Sequence, residues 1–230
     1  MCFADILKVL KADENMMKGS RMEKGNTVTF GMSAGRIKLI AAIAMFIDHF
    51  AASVLIRLIR LTDHPFRAWL EANTADYQTV LDGLEIVYQI LRDIGRLSFP
   101  IYCFFIVEGF FNTKNRTKYA LRLFVLALIS EVPFDLALFG QISDFKHQNV
   151  YFTLLIGLGA IWGINALRKK AESFKIKEII LLLEVGIVYV STVFAFFLKT
   201  DYSILGVLCI IIMYQIKVPR EDFLSERLLM

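Results

Sequence analysis

Charge is scarce in this sequence. Asp, Glu, Lys and Arg together make up 21% of its 230 residues, against the high charge and low hydrophobicity that keep a chain disordered. Cysteine is scarcer still. Three residues, Cys2, Cys103 and Cys209, cannot staple a secreted disulfide scaffold, and two of them sit inside apolar blocks, where packing is expected rather than pairing. Their spacing is not that of metal ligands. The three histidines, His49, His64 and His147, do not converge on any helical spacing, so no metal centre is expected. A phosphate-binding Walker loop, a dinucleotide glycine fingerprint and a Gly-x-Ser-x-Gly elbow are all missing, which removes the common soluble enzyme templates. The first 35 residues lack the apolar core and small-residue cleavage site of a secretory signal peptide.

What the chain does contain is apolar and continuous. Hydrophobic residues account for 57% of it, with 20 Phe, in blocks at roughly 37–59, 84–110, 119–139, 150–167, 178–198 and 202–217. About 20 residues at 1.5 Å each cross a hydrocarbon core of about 30 Å. The expected fold is therefore all-α, a polytopic membrane bundle of about six transmembrane helices. The net charge of +4 comes from short loops and not from a nucleic-acid face; membrane lipid is the expected surroundings, nucleic acid is not an expected partner, and homo-oligomer formation stays open.

Orientation follows from Lys and Arg, which cytoplasmic connections retain. With the N-terminus inside, the inner connections hold 18 such residues and the outer ones 4 (Arg60, Arg67, Lys146 and Lys199), which predicts both termini in the cytoplasm. Residues 1–35 then read as a basic cytoplasmic extension, with a short amphipathic helix at 3–11 as one option, 36–218 as the membrane domain and 219–230 as a cytoplasmic tail. In the long outer connection, Pro65, Phe66, Trp69 and Leu70 suggest a short interfacial helix.

Several ionisable residues fall within the apolar blocks, where each costs about 2.5–3.5 kcal/mol on insertion scales and so is expected to face an internal cavity. At 1.5 Å per residue, His49 lies about 18 Å beyond Ile37. Asp48, His49, Arg92, Arg96, Glu131, Asp135, Asn149, Asp201 and Tyr202 all fall in the outer half, and one cluster is the simplest arrangement. Arg92 and Arg96 share a helix face, as do Glu131 and Asp135, so a structural lock of two cations against two carboxylates is one expectation. Asp48 points about 100° away from its neighbour His49 and is expected to meet an arginine of the second helix instead. His49 stands out chemically, because imidazole can serve as base, acid or nucleophile near neutrality. The plainer alternative is a neutral histidine hydrogen-bonded inside the bundle, or one member of a proton relay. Gly157, Gly159 and Gly163 read as a helix-packing face, and Pro100 as a kink.

The segments Leu39–His49 (LIAAIAMFIDH), Gly95–Phe110 (GRLSFPIYCFFIVEGF), Asn115–Leu123 (NRTKYALRL), Ser130–Leu138 (SEVPFDLAL) and Asn149–Thr153 (NVYFT), taken together, resemble the TraX family over roughly residues 37–167. That resemblance implies a bacterial inner-membrane, multi-pass acyltransferase, since the family's namesake acetylates the N-terminal amine of a conjugative pilin. It implies acetyl-CoA as co-substrate and a membrane-embedded catalytic histidine, matched here by His49. Arg96, Glu108, Glu131, Asp135 and Asn149 match further polar family positions, and Asp201, Tyr202 and Gly206 match a motif at the start of a late helix.

The assignment is then as follows. His49, Asp48, Arg96, Glu131, Asp135 and Asn149 form the catalytic set. Arg36, Lys38, Glu108, Arg116, Lys118 and Arg122 line the inner side for the anionic head of acetyl-CoA. Arg92, Asp201 and Tyr202 meet the acceptor, an amine or hydroxyl on a peptide N-terminus, sugar or small molecule. A proton-coupled transporter using the same histidine and carboxylates is the alternative.

Overall fold

The computed structural model describes residues 33–60, 65–140, 147–171 and 177–218. Most of the expected N-terminal extension, its 3–11 helix, His64 and the tail 219–230 lie outside the described residues. The chain divides into two compact units, 1–39 and 40–230. The first contributes the opening turns of a helix, with Arg36 and Lys38 on them.

Every apolar block is helical. The helices are α1 (Ala34–Arg60), α2 (Pro65–Asn73), α3 (Tyr77–Arg96), α4 (Ser98–Asn112), α5 (Arg116–Phe139), α6 (Val150–Ala171), α7 (Lys177–Phe197) and α8 (Ser203–Lys217). Among the described residues the only sheet-type contact is an isolated bridge between Gln148 and Thr200. The local chemistry explains the boundaries. Pro65 opens α2, where its missing N–H is no loss. Asp76 caps α3 by accepting from the Thr79 amide at 3.3 Å and the Thr79 hydroxyl at 2.6 Å, and these bonds hold its carboxyl below the ordinary carboxylate value. Asn115 caps α5 by accepting from the Lys118 amide at 2.9 Å, and Gly140 closes α5 at φ 68°, the left-handed conformation that suits glycine there.

The expected second span, 84–110, is in fact longer and broken. Helix runs from Tyr77 to Asn112 with a step at Leu97 between α3 and α4. Pro100 is the third residue of α4, so the step falls where its ring would collide with the carbonyl of Arg96. The short helix expected in this connection forms as α2, with Trp69 exposed and Leu70 buried.

Four segments are long and apolar enough to cross a membrane: Ala34–Arg60, Tyr77–Asn112, Val150–Lys169 and Ile179–Phe197. In α5, every stretch of 18 residues carries three or more of Arg116, Lys118, Arg122, Glu131 and Asp135. α8, at 15 residues, spans about 22 Å. The lipid-facing surface is explicit: Phe46, Leu182, Phe197 and Leu205 are each more than 70% exposed, and large apolar side chains in such numbers on one surface belong against hydrocarbon. This is an all-α membrane bundle.

The core gathers around three helices that run parallel. α4 meets α8 at Phe99 and Tyr202, whose rings stack at 3.9 Å, and again at Glu108 and Lys217, which form an ion pair. α6 meets α8 at Thr153 and Asp201, then at Asn165 and Tyr214 (3.1 Å). α7 returns antiparallel beside α6. Arg168 donates to both carboxylate oxygens of buried Glu184, at 2.6 and 2.8 Å, and to Gln215 at 2.8 Å. Arg168→Met is expected to lower stability by about 1–3 kcal/mol, because it strands a buried carboxylate. The double variant with Glu184→Leu should recover most of that loss, as read by thermal unfolding in detergent.

Candidate functional site

The polar residues of the bundle collect at two ends. At one end α1 and α3 lie antiparallel, tied by Arg60 to Glu85 at 2.9 Å and by Arg92 Nη1 to Asp48 Oδ2 at 2.6 Å. Their approach at Asp48 is close enough to require glycine: a Cβ on Gly95 would stand 2.2 Å from Asp48 Cβ and 2.8 Å from its Cα. Asp48 therefore meets an arginine of the second span and turns away from His49, as its position in the helix predicts.

His49 is held from its own helix. Its Nδ1 lies 2.8 Å from the Met45 carbonyl oxygen. A carbonyl only accepts, so Nδ1 carries the proton, and in the neutral ring Nε2 keeps its lone pair. The ring meets Phe134 of α5 edge-on, with centroids 6.1 Å apart. Immediately beyond it the backbone widens into a π-turn at Ala51–Leu55, a rare feature in helices that recurs at functional sites. The Ser53 hydroxyl donates to the His49 carbonyl at 2.6 Å.

The turn joining α7 to α8 closes this end. Lys199, Tyr202 and Ser203 all have positive φ, at 51°, 60° and 39°. None is glycine, so the turn stores backbone strain that its contacts must hold. Those contacts are extensive. The Gln148 amide donates to the Lys199 carbonyl at 3.1 Å and the Asp201 amide to the Gln148 carbonyl at 2.9 Å. The Thr153 hydroxyl donates to the Asp201 carbonyl, and Tyr202 packs flat on Phe99. Asp201 stands within electrostatic range of His49, Asp48 and Arg92. The Tyr202 amide donates to the Asp201 carboxylate at 3.1 Å.

A second polar group sits where α5 meets the start of α6. Glu131 accepts from the Asn149 backbone amide at 3.1 Å and from its side-chain amide at 2.5 Å. The same side chain donates to the Ala127 carbonyl at 2.8 Å and accepts from the Tyr151 amide at 2.9 Å. Asn149 is thus both helix cap and bridge, and Asp135, one turn beyond Glu131, is buried. Three parallel helices, α4, α6 and α8, begin at this end of the bundle, so their partially positive N-termini face its carboxylates.

The single outer cluster expected from the sequence is therefore two adjoining groups. Asp48, His49, Arg92, Asp201 and Tyr202 form one; Glu131, Asp135 and Asn149 form the other. Phe134 and the Gln148–Lys199 backbone bonds link them. The lock of two arginines against two carboxylates does not form: Arg92 pairs with Asp48, and Arg96 reaches Asp93 at 3.4 Å on an exposed face. The reason is geometric, since the close crossing at Gly95 brings α1 and not α5 against Arg92.

Glu108, Arg116, Lys118 and Arg122 lie away from His49. Glu108 pairs with Lys217 and accepts from Asn112 at 3.0 Å, at the opposite end of α4. Arg116 stacks over Phe110 at 4.0 Å and donates to Asn165 at 3.0 Å. Lys118 and Arg122 follow on the first turns of α5, and Arg122 is exposed. Arg36 and Lys38 belong to the first unit. Sequence reasoning missed Gly95, Phe99, Phe134, Thr153 and the π-turn. Gly95 was discoverable, being a small residue three positions beyond Arg92; the π-turn leaves no residue pattern of its own.

The glycine crossing gives a direct contrast. Gly95→Ala is expected to force α1 and α3 apart and lower stability by about 1–3 kcal/mol. Gly159→Ala, with nothing within 4 Å of the added carbon, should be neutral or slightly stabilising by helix propensity. Thermal unfolding of both variants in one detergent checks the pair.

The family model described as TraX protein matches residues 33–224. A relative from Dichelobacter nodosus, "Probable fimbrial assembly protein FimC, serogroup H1", is 34% identical over 136 residues. That alignment covers 56% of this chain and 45% of the relative, so the chain spans under half of the relative's length. No solved structure matches. With a match over most of its length and a helical membrane bundle beneath it, the chain belongs to the TraX family.

Proposed function

We propose that this protein is an acetyltransferase of the bacterial inner membrane, crossing it several times, and that it moves an acetyl group from cytosolic acetyl-CoA to an acceptor amine or hydroxyl through His49. The observation that carries this reading is the orientation of one ring. With Nδ1 committed to the Met45 carbonyl, Nε2 is the basic and nucleophilic atom, and it stands in the group that holds Asp48, Arg92 and Asp201. A fixed tautomer is what a histidine base or acyl carrier requires.

The opposite end of the bundle suits an anionic donor entering from the cytosol. Arg116 is held there against an aromatic ring and an amide, whereas Arg168 is matched by Glu184 and Lys217 by Glu108. The two ends are separated by the length of α8, about 21 Å from Ser203 to Lys217, comparable to the roughly 15–20 Å reach of an extended pantetheine arm. His49 either receives the acetyl group on Nε2 or removes the acceptor's proton during direct attack. Arg92 and the helix N-termini at this end supply positive potential for the thioester oxyanion. The name of the Dichelobacter nodosus relative, a fimbrial assembly protein, favours a peptide N-terminus among the acceptors.

Purified protein in nanodiscs, given labelled acetyl-CoA and a peptide amine, should release CoA and acetylate the peptide. His49→Ala is expected to reduce that turnover by on the order of 10²–10⁴-fold while leaving the unfolding temperature nearly unchanged. Undiminished turnover in the variant removes His49 from the chemistry. Substrate flux driven by a pH gradient, without CoA release, would favour a proton-coupled transporter.

A further inference from the structure

Cys103 and Cys209 lie in separate apolar blocks, 106 positions apart in the chain (209 minus 103), and neither is in a disulfide. The fold brings them together. Cys103 is fully buried on α4, in the core shared by α4, α6 and α8, and Cys209 packs against that core from α8. Along this parallel pair of helices Phe99 faces Gly206 and Glu108 faces Lys217, a register that brings Cys103, four residues beyond Phe99, level with Cys209, three beyond Gly206. On the same seam Phe99 lies against Tyr202 and Gly206. A Cβ on Gly206 would come within 2.9 Å of Phe99, so the two helices cross closely just above the thiols. Packed helices have axes about 8–10 Å apart and Cα radii of about 2.3 Å, which sets facing Cα atoms at about 3.5–5.5 Å, overlapping the range of about 4.4–6.8 Å that a disulfide spans.

The two sulfurs differ in access. Cys209 is half-buried and lies on the stripe of Leu205, Ile212 and Ile216, at spacings of four, three and seven residues, all of which face outward from the bundle. This outward face is the one that meets hydrocarbon. A hydrophobic oxidant dissolved in the bilayer can reach Cys209, while Cys103 waits behind it to complete the bond.

We propose that Cys103 and Cys209 are a redox pair, oxidised to an interhelical disulfide by a quinone dissolved in the membrane. Two S–H bonds break and one S–S bond forms; the two electrons and two protons pass to the quinone oxygens, giving the quinol. Thiol–disulfide couples are set by their potential against such a pool, and quinones drive disulfide formation in bacterial envelopes. The product ties the helix carrying Phe99 to the helix headed by Tyr202, so oxidation fixes the seam beneath the α7–α8 turn. This inference does not depend on the acetyltransferase reading.

The test uses the full chain carrying Cys2→Ser, which leaves this pair as its remaining cysteines, in lipid nanodiscs. Treatment with decylubiquinone should lower the intact mass by two hydrogens. Labelling with a maleimide after denaturation should fall from both thiols to neither, with the chain still monomeric on a non-reducing gel, and a reductant should restore both labels. Cys209→Ala in the same background should keep its remaining thiol fully labelled. The proposal is overturned if both thiols stay labelled after quinone treatment, if only interchain dimers form, or if the water-soluble oxidant diamide closes the pair and the quinone does not.

Discussion

An ion pair in an apolar bundle is expensive to break and therefore directive. Asp48 and Arg92 meet at 2.6 Å between α1 and α3, with side chains that are mostly buried. Either charge alone would be stranded in a medium that solvates it poorly, so each fixes the other. The pair decides which face of α1 turns inward, and with it where His49 stands. Gly95 makes the pairing possible by omitting the one carbon that would separate the backbones. The rest of the polar end depends on that contact, since Asp201 and Tyr202 close over a surface that Asp48 and Arg92 have already neutralised.

The bundle divides its labour by end. At the His49 end, strain and polar contacts accumulate: a π-turn, three residues at positive φ, and the beginnings of three parallel helices. At the other end, long cations are matched or stacked, Arg168 on Glu184 and Lys217 on Glu108, with Arg116 laid over Phe110. Between them the contact is aliphatic and aromatic, with Leu154, Leu158, Ile161, Ile210 and Tyr214 almost fully enclosed. Beside this core, Gly159, Gly163 and Gly186 line an open apolar groove of about 680 Å³ between α6 and α7. The small-residue spacing that suggested a packing face thus leaves part of that face uncovered.

The helices were legible in the sequence because continuous apolar blocks about 20 residues long have few other solutions. Pro65 marked the short helix α2, while the caps at Asp76, Asn115 and Gly140 emerged only with the structure. The pairing of Asp48 with an arginine of the second span was legible too, since helical geometry turned Asp48 away from His49. Which carboxylates met which arginines was not. Helix spacing places Arg92 and Arg96 on one face but says nothing about the neighbour, and the neighbour was decided by a single glycine. The nearness of Cys103 and Cys209 was equally hidden: two cysteines more than a hundred residues apart become neighbours only through the parallel packing of α4 on α8, a tertiary fact with no local signature.

The central claim is that Asp48 and Arg92 act as one unit that holds the polar end together. A double-mutant cycle of Asp48→Asn and Arg92→Gln, followed by thermal unfolding in a single detergent, measures it without reference to any substrate. Each single variant should be clearly destabilised and the double variant barely worse than either, with a coupling of about 1–3 kcal/mol. Strictly additive losses would mean that the two side chains do not depend on one another, and the account of how this end is organised would be wrong.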